Sequence, residues 1–159
     1  MSYEIRTACP ADTPELVKLF NEATQRKIDH GDNAWGTPDW TEKEVDALLS
    51  YNSTFVARID GIIAGTITLG SEDSRNVWDK LPAIYIQKLA GRESHRGIGR
   101  ILLKTAERIA QDREVDFLRL DCDATVDDLC SYYENAGYTK VKVVDSDEAH
   151  PIALFEKHI

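Results

Sequence analysis

The residues whose chemistry stands out first lie in "GRESHRGIGRILLKTAERIA", residues 91–110. Gly97 and Gly99 stand where an apolar helical stripe begins, and Arg92, Arg96 and Arg100 surround them. Glycine costs stability inside a helix. Its placement at a helix start therefore implies unusual backbone angles or a group that approaches the backbone closely. A helix N-terminus carries unpaired N–H groups and the positive end of a dipole. With little side-chain bulk there, those groups can wrap a phosphate. The chemistry expected is anion binding, a pyrophosphate foremost; a glycine-rich turn with solvated arginines is the plain alternative. No Gly-Lys-Ser/Thr follows, so this is not a P-loop. Leu102 fills the place where a dinucleotide fingerprint needs a small residue.

The flanking pattern supplies the elements that must hold this run. Residues 3–7 alternate as a strand. "ADTPELVKLFNEA" opens a helix in which Asp12 or Thr13 can cap, Pro14 fits the first turn and Glu15 favours the positive end. An irregular stretch with Trp35 and Trp40 follows, then a short helix announced by the capping box Thr41–Glu44. "STFVARIDGIIAGTITLG" reads as a hairpin turning at Asp60-Gly61 with type I′ chemistry. After a loop, "AIYIQKLA" is a strand, the glycine run leads a helix, and "DFLRLDC" is a further strand. A βαβ crossover implies that the strands around Ile84 and Leu118 lie parallel. "TVDDLCSYYENAG" is a helix stopped by Gly137, and "YTKVKVV" and "IALFEK" close as a strand pair around "DSDEAHP". No repeat or linker interrupts the 159 residues, which are expected to form a single domain, 1–159.

Composition narrows the classes. Lys and Arg total 19 against 28 Asp and Glu, a formal net charge of -9. That disfavours nucleic acid, whose binding rests on cationic side chains. Among so many carboxylates, the arginines of the glycine run invert the local sign. No apolar run suits a membrane span or a signal peptide, so no membrane association and a cytoplasmic location are expected. Cys9, Cys122 and Cys130 form no CxxC pair and read as reduced packing residues. The four histidines show no metal-ligand spacing, and no metal is expected.

"KLAGRESHRGIGRILL" and "YENAGY" together resemble the GCN5-related N-acetyltransferase (GNAT) family. Lys88-Leu89-Ala90-Gly91 stands at the family's strand end, Gly97-Ile98-Gly99 at its loop, and Tyr133–Tyr138 at its Tyr-x-x-x-Gly-Phe signature. The resemblance covers essentially the whole chain. It departs at Ser94, where the family has Arg or Gln, at Gly91, where it has Val, and near Val126, where an Asn is common. It implies an α/β fold: a mixed, mostly antiparallel sheet flanked by about four helices, with a splayed central parallel strand pair.

The same resemblance implies acetyl-CoA as co-substrate and a primary amine of a small molecule or peptide as acceptor. Leu89, Ala90 and Gly91 would line the pantetheine arm, the Leu89 N–H polarising the thioester carbonyl. Ser94, His95, Arg96, Gly97, Ile98, Gly99 and Arg100 would form the pyrophosphate turn. Tyr133 matches the family's general acid, since a phenol keeps its proton at neutral pH and can pass it to sulfur; a packed aromatic is the structural alternative. For the base, Glu72, Asp73 and a water held by Gln87 and Asp121 all remain open. Trp35 and Trp40, with Asp39 beside them, would suit an ammonium ligand or simply cover the core edge; Trp78 is a similar case. Asp121 is also placed toward the acceptor. A non-catalytic acyl-CoA-binding module of the same fold and a nucleotide-phosphate binder are the competing functions. The resemblance also admits a homodimer.

Overall fold

A computed structural model describes residues 2–146 and 150–159. The described residues form two compact units, 1–70 with 87–104 and 71–86 with 105–159. Part of the "DSDEAHP" turn lies outside the described residues.

The first unit begins with β1 (Glu4–Thr7), a 3-10 turn at Pro10–Asp12, and α1 (Thr13–Asp29). α2 (Glu42–Tyr51) carries the expected capping box: Glu44 N–H donates to Thr41 Oγ1, and Thr41 N–H to the Glu44 carboxylate. β2 (Ser53–Ile59) and β3 (Ile62–Gly70) form the hairpin. Asp60 and Gly61 both take positive φ, 51° and 81°, as a type I′ turn requires. β1 pairs antiparallel with β2, and β2 with β3. Leu16, Leu19, Phe20, Ala23, Val45, Val56, Ile63 and Ala90 form this unit's core. Fully burying Leu16, Leu19 and Phe20 stabilises it by roughly 1.5–3 kcal/mol each.

Asp12 does not cap α1, contrary to the sequence expectation. Arg6 takes its carboxylate through two hydrogen bonds of 2.7 and 2.9 Å, and the Cys9 N–H adds a third at 2.8 Å. Nor does Thr13, whose hydroxyl donates to Asp46 instead. The bidentate salt link ties β1 to the 3-10 turn and leaves the Asp12 carboxylate engaged there rather than at the start of α1. Cys9 is exposed rather than packed.

β4 (Ile84–Gly91) and α3 (Ile98–Asp112) each run from one unit into the other. The second unit continues with β5 (Phe117–Asp123), α4 (Asp127–Asn135), β6 (Thr139–Val144) and β7 (Ile152–His158). The crossover has the expected parallel register, Ile84 opposite Leu118 and Tyr85 opposite Arg119. β5 then pairs with β7 along its whole length, and β7 with β6, both antiparallel. Gly137 takes φ 96° just past α4. Read through the shared β4, the strand order is β1-β2-β3-β4-β5-β7-β6, a mixed seven-stranded sheet with four α-helices, as expected. No helix among the described residues is long and apolar enough to cross a membrane.

Candidate active site

In the first unit, β4 does not run straight into the glycine turn. Lys88 has φ 47°, a left-handed conformation that a non-glycine residue adopts only when its surroundings impose it. The positive φ falls inside β4, just ahead of Leu89, Ala90 and Gly91, which remain in the strand. Sequence pattern gave no sign of it, because lysine carries no preference for positive φ.

Beyond β4 the turn is built from its own backbone. Arg92 N–H donates to Ala64 O, His95 N–H to Arg92 O and Ile98 N–H to His95 O. Ser94 and His95 add a side-chain hydrogen bond of 2.9 Å. Gly97 has φ 93°, and a Cβ there would meet nothing within 4 Å. Its glycine therefore serves backbone angle, and its outer face lies open beside the N-terminus of α3. Gly99 is the second residue of that helix.

Close packing fixes the helix start. A Cβ at Gly91 would come within 2.7 Å of Ile98 Cγ2. One at Gly65 would come within 3.0 Å of both Ile98 and Leu102 and 3.1 Å of Ala90 O. Ile98 thus wedges between two glycines and seats α3 on β3 and β4. This explains the departure at Gly91: the family's Val has no room beside an isoleucine at 98.

The arginines divide their work. Arg92 is engaged by carboxylates of α1 rather than left to the turn, which differs from the reading of three cations around it. Its Nε donates to Ile63 O, and its two terminal nitrogens reach Glu22 and Glu15 on α1. Arg26 donates to Gly91 O and pins the same corner. Arg96 and Arg100 remain exposed on the turn and the first helical residues. The Ile98 N–H is likewise engaged with His95 O, which removes it from the expected row of phosphate donors.

Trp35 and Trp40 pack on Phe20, with ring centroids 6.0 and 4.8 Å away. The expected ammonium over these rings is the chain's own. Lys27 Nζ lies 4.9 Å from the Trp35 ring, and Lys88 Nζ lies 5.0 and 5.5 Å from Trp35 and Trp40. The Trp40 indole N–H donates to Thr24. Both tryptophans thereby cover the core edge. Gln87 lies against Gly70, where a Cβ would approach its amide nitrogen to 2.8 Å.

In the second unit, Tyr133 is buried on α4, while Tyr132 is only half-buried. Tyr132, Tyr138 and Phe155 surround its ring at 5.3 to 6.1 Å. Tyr138 stands at the signature's Phe position, and its buried hydroxyl has no hydrogen-bond partner among the described residues. Burial pushes its pKa well above the usual phenol value.

The carboxylates differ in availability. Glu72 is exposed. Asp73 shapes its own loop by accepting from the N–H groups of Arg75 and Trp78. Asp121 pairs with Arg75 at 3.5 Å. The side chain that sequence reading missed is Arg119, only 1% exposed on β5. It donates to Glu156 at 2.7 Å and to Tyr85, pairs with Asp79 at 2.8 Å, and stacks 4.7 Å from Trp78. Burial works against its charge, but these partners outweigh it and hold its pKa above the ordinary range. So the cation over Trp78 is again internal. A lone arginine within the apolar run "FLRL" was the available signal, since buried charges demand partners.

With the fold and these features in place, comparison with known proteins assigns the class. The chain belongs to the acetyltransferase (GNAT) family, whose model matches residues 14–138. It is similar to the uncharacterized N-acetyltransferase YesJ of Bacillus subtilis (strain 168), at 29% identity over 165 residues covering 96% of this chain and 89% of YesJ. Its fold is similar to that of the ribosomal-protein-alanine N-acetyltransferase of Brucella melitensis, with TM-score 0.77, 18% identity, and 98% and 99% of the two chains covered. It is equally similar to the PaiA N-acetyltransferase of Thermoplasma acidophilum, solved in complex with coenzyme A, with TM-score 0.77, 20% identity and 100% of both chains covered.

Proposed function

We propose that this chain, as one catalytic domain over residues 1–159, is an acetyl-CoA-dependent N-acetyltransferase acting on a primary amine of a small molecule or peptide. The observation that carries the reading is the turn before α3. Gly97 at φ 93° leaves open space at a helix N-terminus, and the Ile98 wedge holds that terminus in place. Such a site fits a pyrophosphate, because oriented N–H groups and the helix dipole both favour anions. Arg96 and Arg100 add positive charge on exposed positions. A structural neighbour solved with coenzyme A supports the same choice of ligand.

Acetyl-CoA supplies the activated acyl group. Leu89 and Gly91 hold the pantetheine amides through their backbone groups, and the Leu89 N–H donates to the thioester carbonyl oxygen. The acceptor amine, neutral when it attacks, forms the C–N bond as the C–S bond breaks. Tyr133 donates its phenolic proton to the departing sulfur. The aromatic rings around Tyr133 fix its position. The amine's proton passes to Glu72 or to a water held by Gln87. Asp73 and Asp121 are engaged elsewhere, which ranks Glu72 first among the carboxylates. The acceptor lies outside the faces of Trp35 and Trp40 that Lys27 and Lys88 cover. The reaction takes place in the cytoplasm and uses no metal.

Thermal unfolding with acetyl-CoA, ATP and NADH tests the reading. At about 100 times its dissociation constant, a ligand binding only the native state adds roughly 2.7 kcal/mol. Stabilisation by acetyl-CoA alone is expected. An equal shift with ATP would reduce the turn to a general anion site.

A further inference from the structure

Two thiols sit together in the second unit. Cys122, on β5, is 7% exposed, and Cys130, on α4, is 5% exposed. Their sulfurs are 3.9 Å apart, and Cys130 Sγ lies equally far from Asp123 O. The connection between them is tightly defined. Asp123 Oδ1 accepts from both the N–H and the hydroxyl of Thr125, and the Val126 N–H donates to Asp123 O. Cys130 N–H then donates to Val126 O and opens the first full turn of α4. A short ordered turn therefore holds the two sulfurs at a high effective concentration. Sulfurs this buried favour a small oxidant over a bulky disulfide.

We propose that Cys122 and Cys130 are a reversible dithiol–disulfide site oxidised by hydrogen peroxide, and that its closure shifts α4 together with Tyr133. One sulfur attacks the peroxide O–O bond, giving a sulfenic acid and one water. The second sulfur displaces the sulfenic hydroxyl, which leaves with the second thiol's proton as another water. The balance is two thiols and one peroxide to one disulfide and two waters. Closure brings the sulfurs from 3.9 Å to about 2.05 Å. A close-packed interior does not absorb such a shift locally, so the start of α4 must move. Tyr133 stands three residues beyond Cys130, on the same helix face. The effect on turnover rests on the acetyltransferase reading above; disulfide formation does not.

The test uses the full chain with Cys9→Ser, which removes the exposed thiol. The folded protein is treated with hydrogen peroxide, then unfolded and alkylated. Expected are a mass lower by about 2 Da, no alkylation, and a peptide linking residues 122 and 130, all reversed by dithiothreitol. Near-ultraviolet circular dichroism of the tyrosines changes, and turnover falls about tenfold or more until reduction. Cys130→Ala in the same background shows none of these responses. Full alkylation after peroxide, a gain of about 32 Da per sulfinic acid without a cross-link, or a disulfide with unchanged dichroism overturns the proposal. Mass and dichroism are read without an acceptor, so failure of the acetyltransferase reading leaves them intact.

Discussion

The turn before α3 is shaped by backbone, and the α4 segment by side chains. At the turn, Gly97 supplies an angle, Gly91 and Gly65 supply room, and Ile98 fills that room. One of its cations, Arg92, looks elsewhere, to α1 and to Ile63 O. On α4 the helix is ordinary, and what distinguishes it is a packed set of rings and two neighbouring sulfurs. The difference teaches where substitutions are tolerated. A site built from peptide donors, as proposed for this turn, should tolerate Ser94 in place of the family's Arg or Gln. It does not survive added bulk. A side-chain-built site responds to the loss of a single polar atom.

Tyr133→Phe gives the sharpest contrast. Removing one hydroxyl is expected to lower turnover about a hundredfold while acetyl-CoA still raises the unfolding midpoint; unchanged turnover removes Tyr133 as the acid. On the other side, Gly97→Val forces a β-branched residue into φ 93°. Calorimetric titration should show coenzyme A binding weakened about tenfold or more, because the strain and the added side chain disturb the N–H groups together. Normal binding would remove the anion site from this turn.

Gly91→Val restores the family's residue yet is expected to destabilise by about 1–3 kcal/mol in urea unfolding. Adding Ile98→Ala should return part of that loss, because Ile98 Cγ2 is what the new Cβ meets. Additive losses in the double variant would contradict the wedge.

Acid unfolding probes a third site against both. The Arg6 hydrogen bonds, opposed by burial and helped by the Cys9 N–H, lower the Asp12 carboxyl to about 2 from its ordinary 3.8. A depressed carboxyl contributes stability that is fully present above its unfolded value and is lost as pH falls through its folded one. Stability should therefore drain between about pH 4 and pH 2. Asp12→Asn should be less stable at neutral pH and flatten that limb. The smallest effect is expected at Tyr138→Phe. Deleting a buried hydroxyl without a partner should leave stability unchanged or raise it by up to about 1 kcal/mol. A loss above that would reveal a partner for the hydroxyl.

The readable features were those with local causes. Asp60-Gly61 sets a hairpin, Thr41–Glu44 a helix start, and Gly137 a helix stop, each through chemistry within a few residues. The parallel register of Ile84 with Leu118 followed from the handed crossover and the lengths of the elements. The glycine run and the Tyr133–Tyr138 signature pointed to the family that the comparisons then showed. The Asp12 cap was misread because Arg6, six residues away, competes for the same carboxylate and wins with a charged fork. For the tryptophans the sequence left an ammonium site and a core-edge cover both open, because the lysines over them come from separate elements.

Sequence alone therefore determined the order of elements, the sheet's mixed character, the acetyltransferase family and the place of the glycine turn, since helix, strand and turn preferences act over short spans. Tertiary structure decided which charges were already engaged, that Lys88 takes a positive φ within β4, that Ile98 excludes a side chain at Gly91, that Arg119 is buried among its partners, and that Cys122 meets Cys130. Each of those depends on atoms from different elements arriving at one point. Burial, pairing and steric exclusion are set by that meeting, and no single segment carries it.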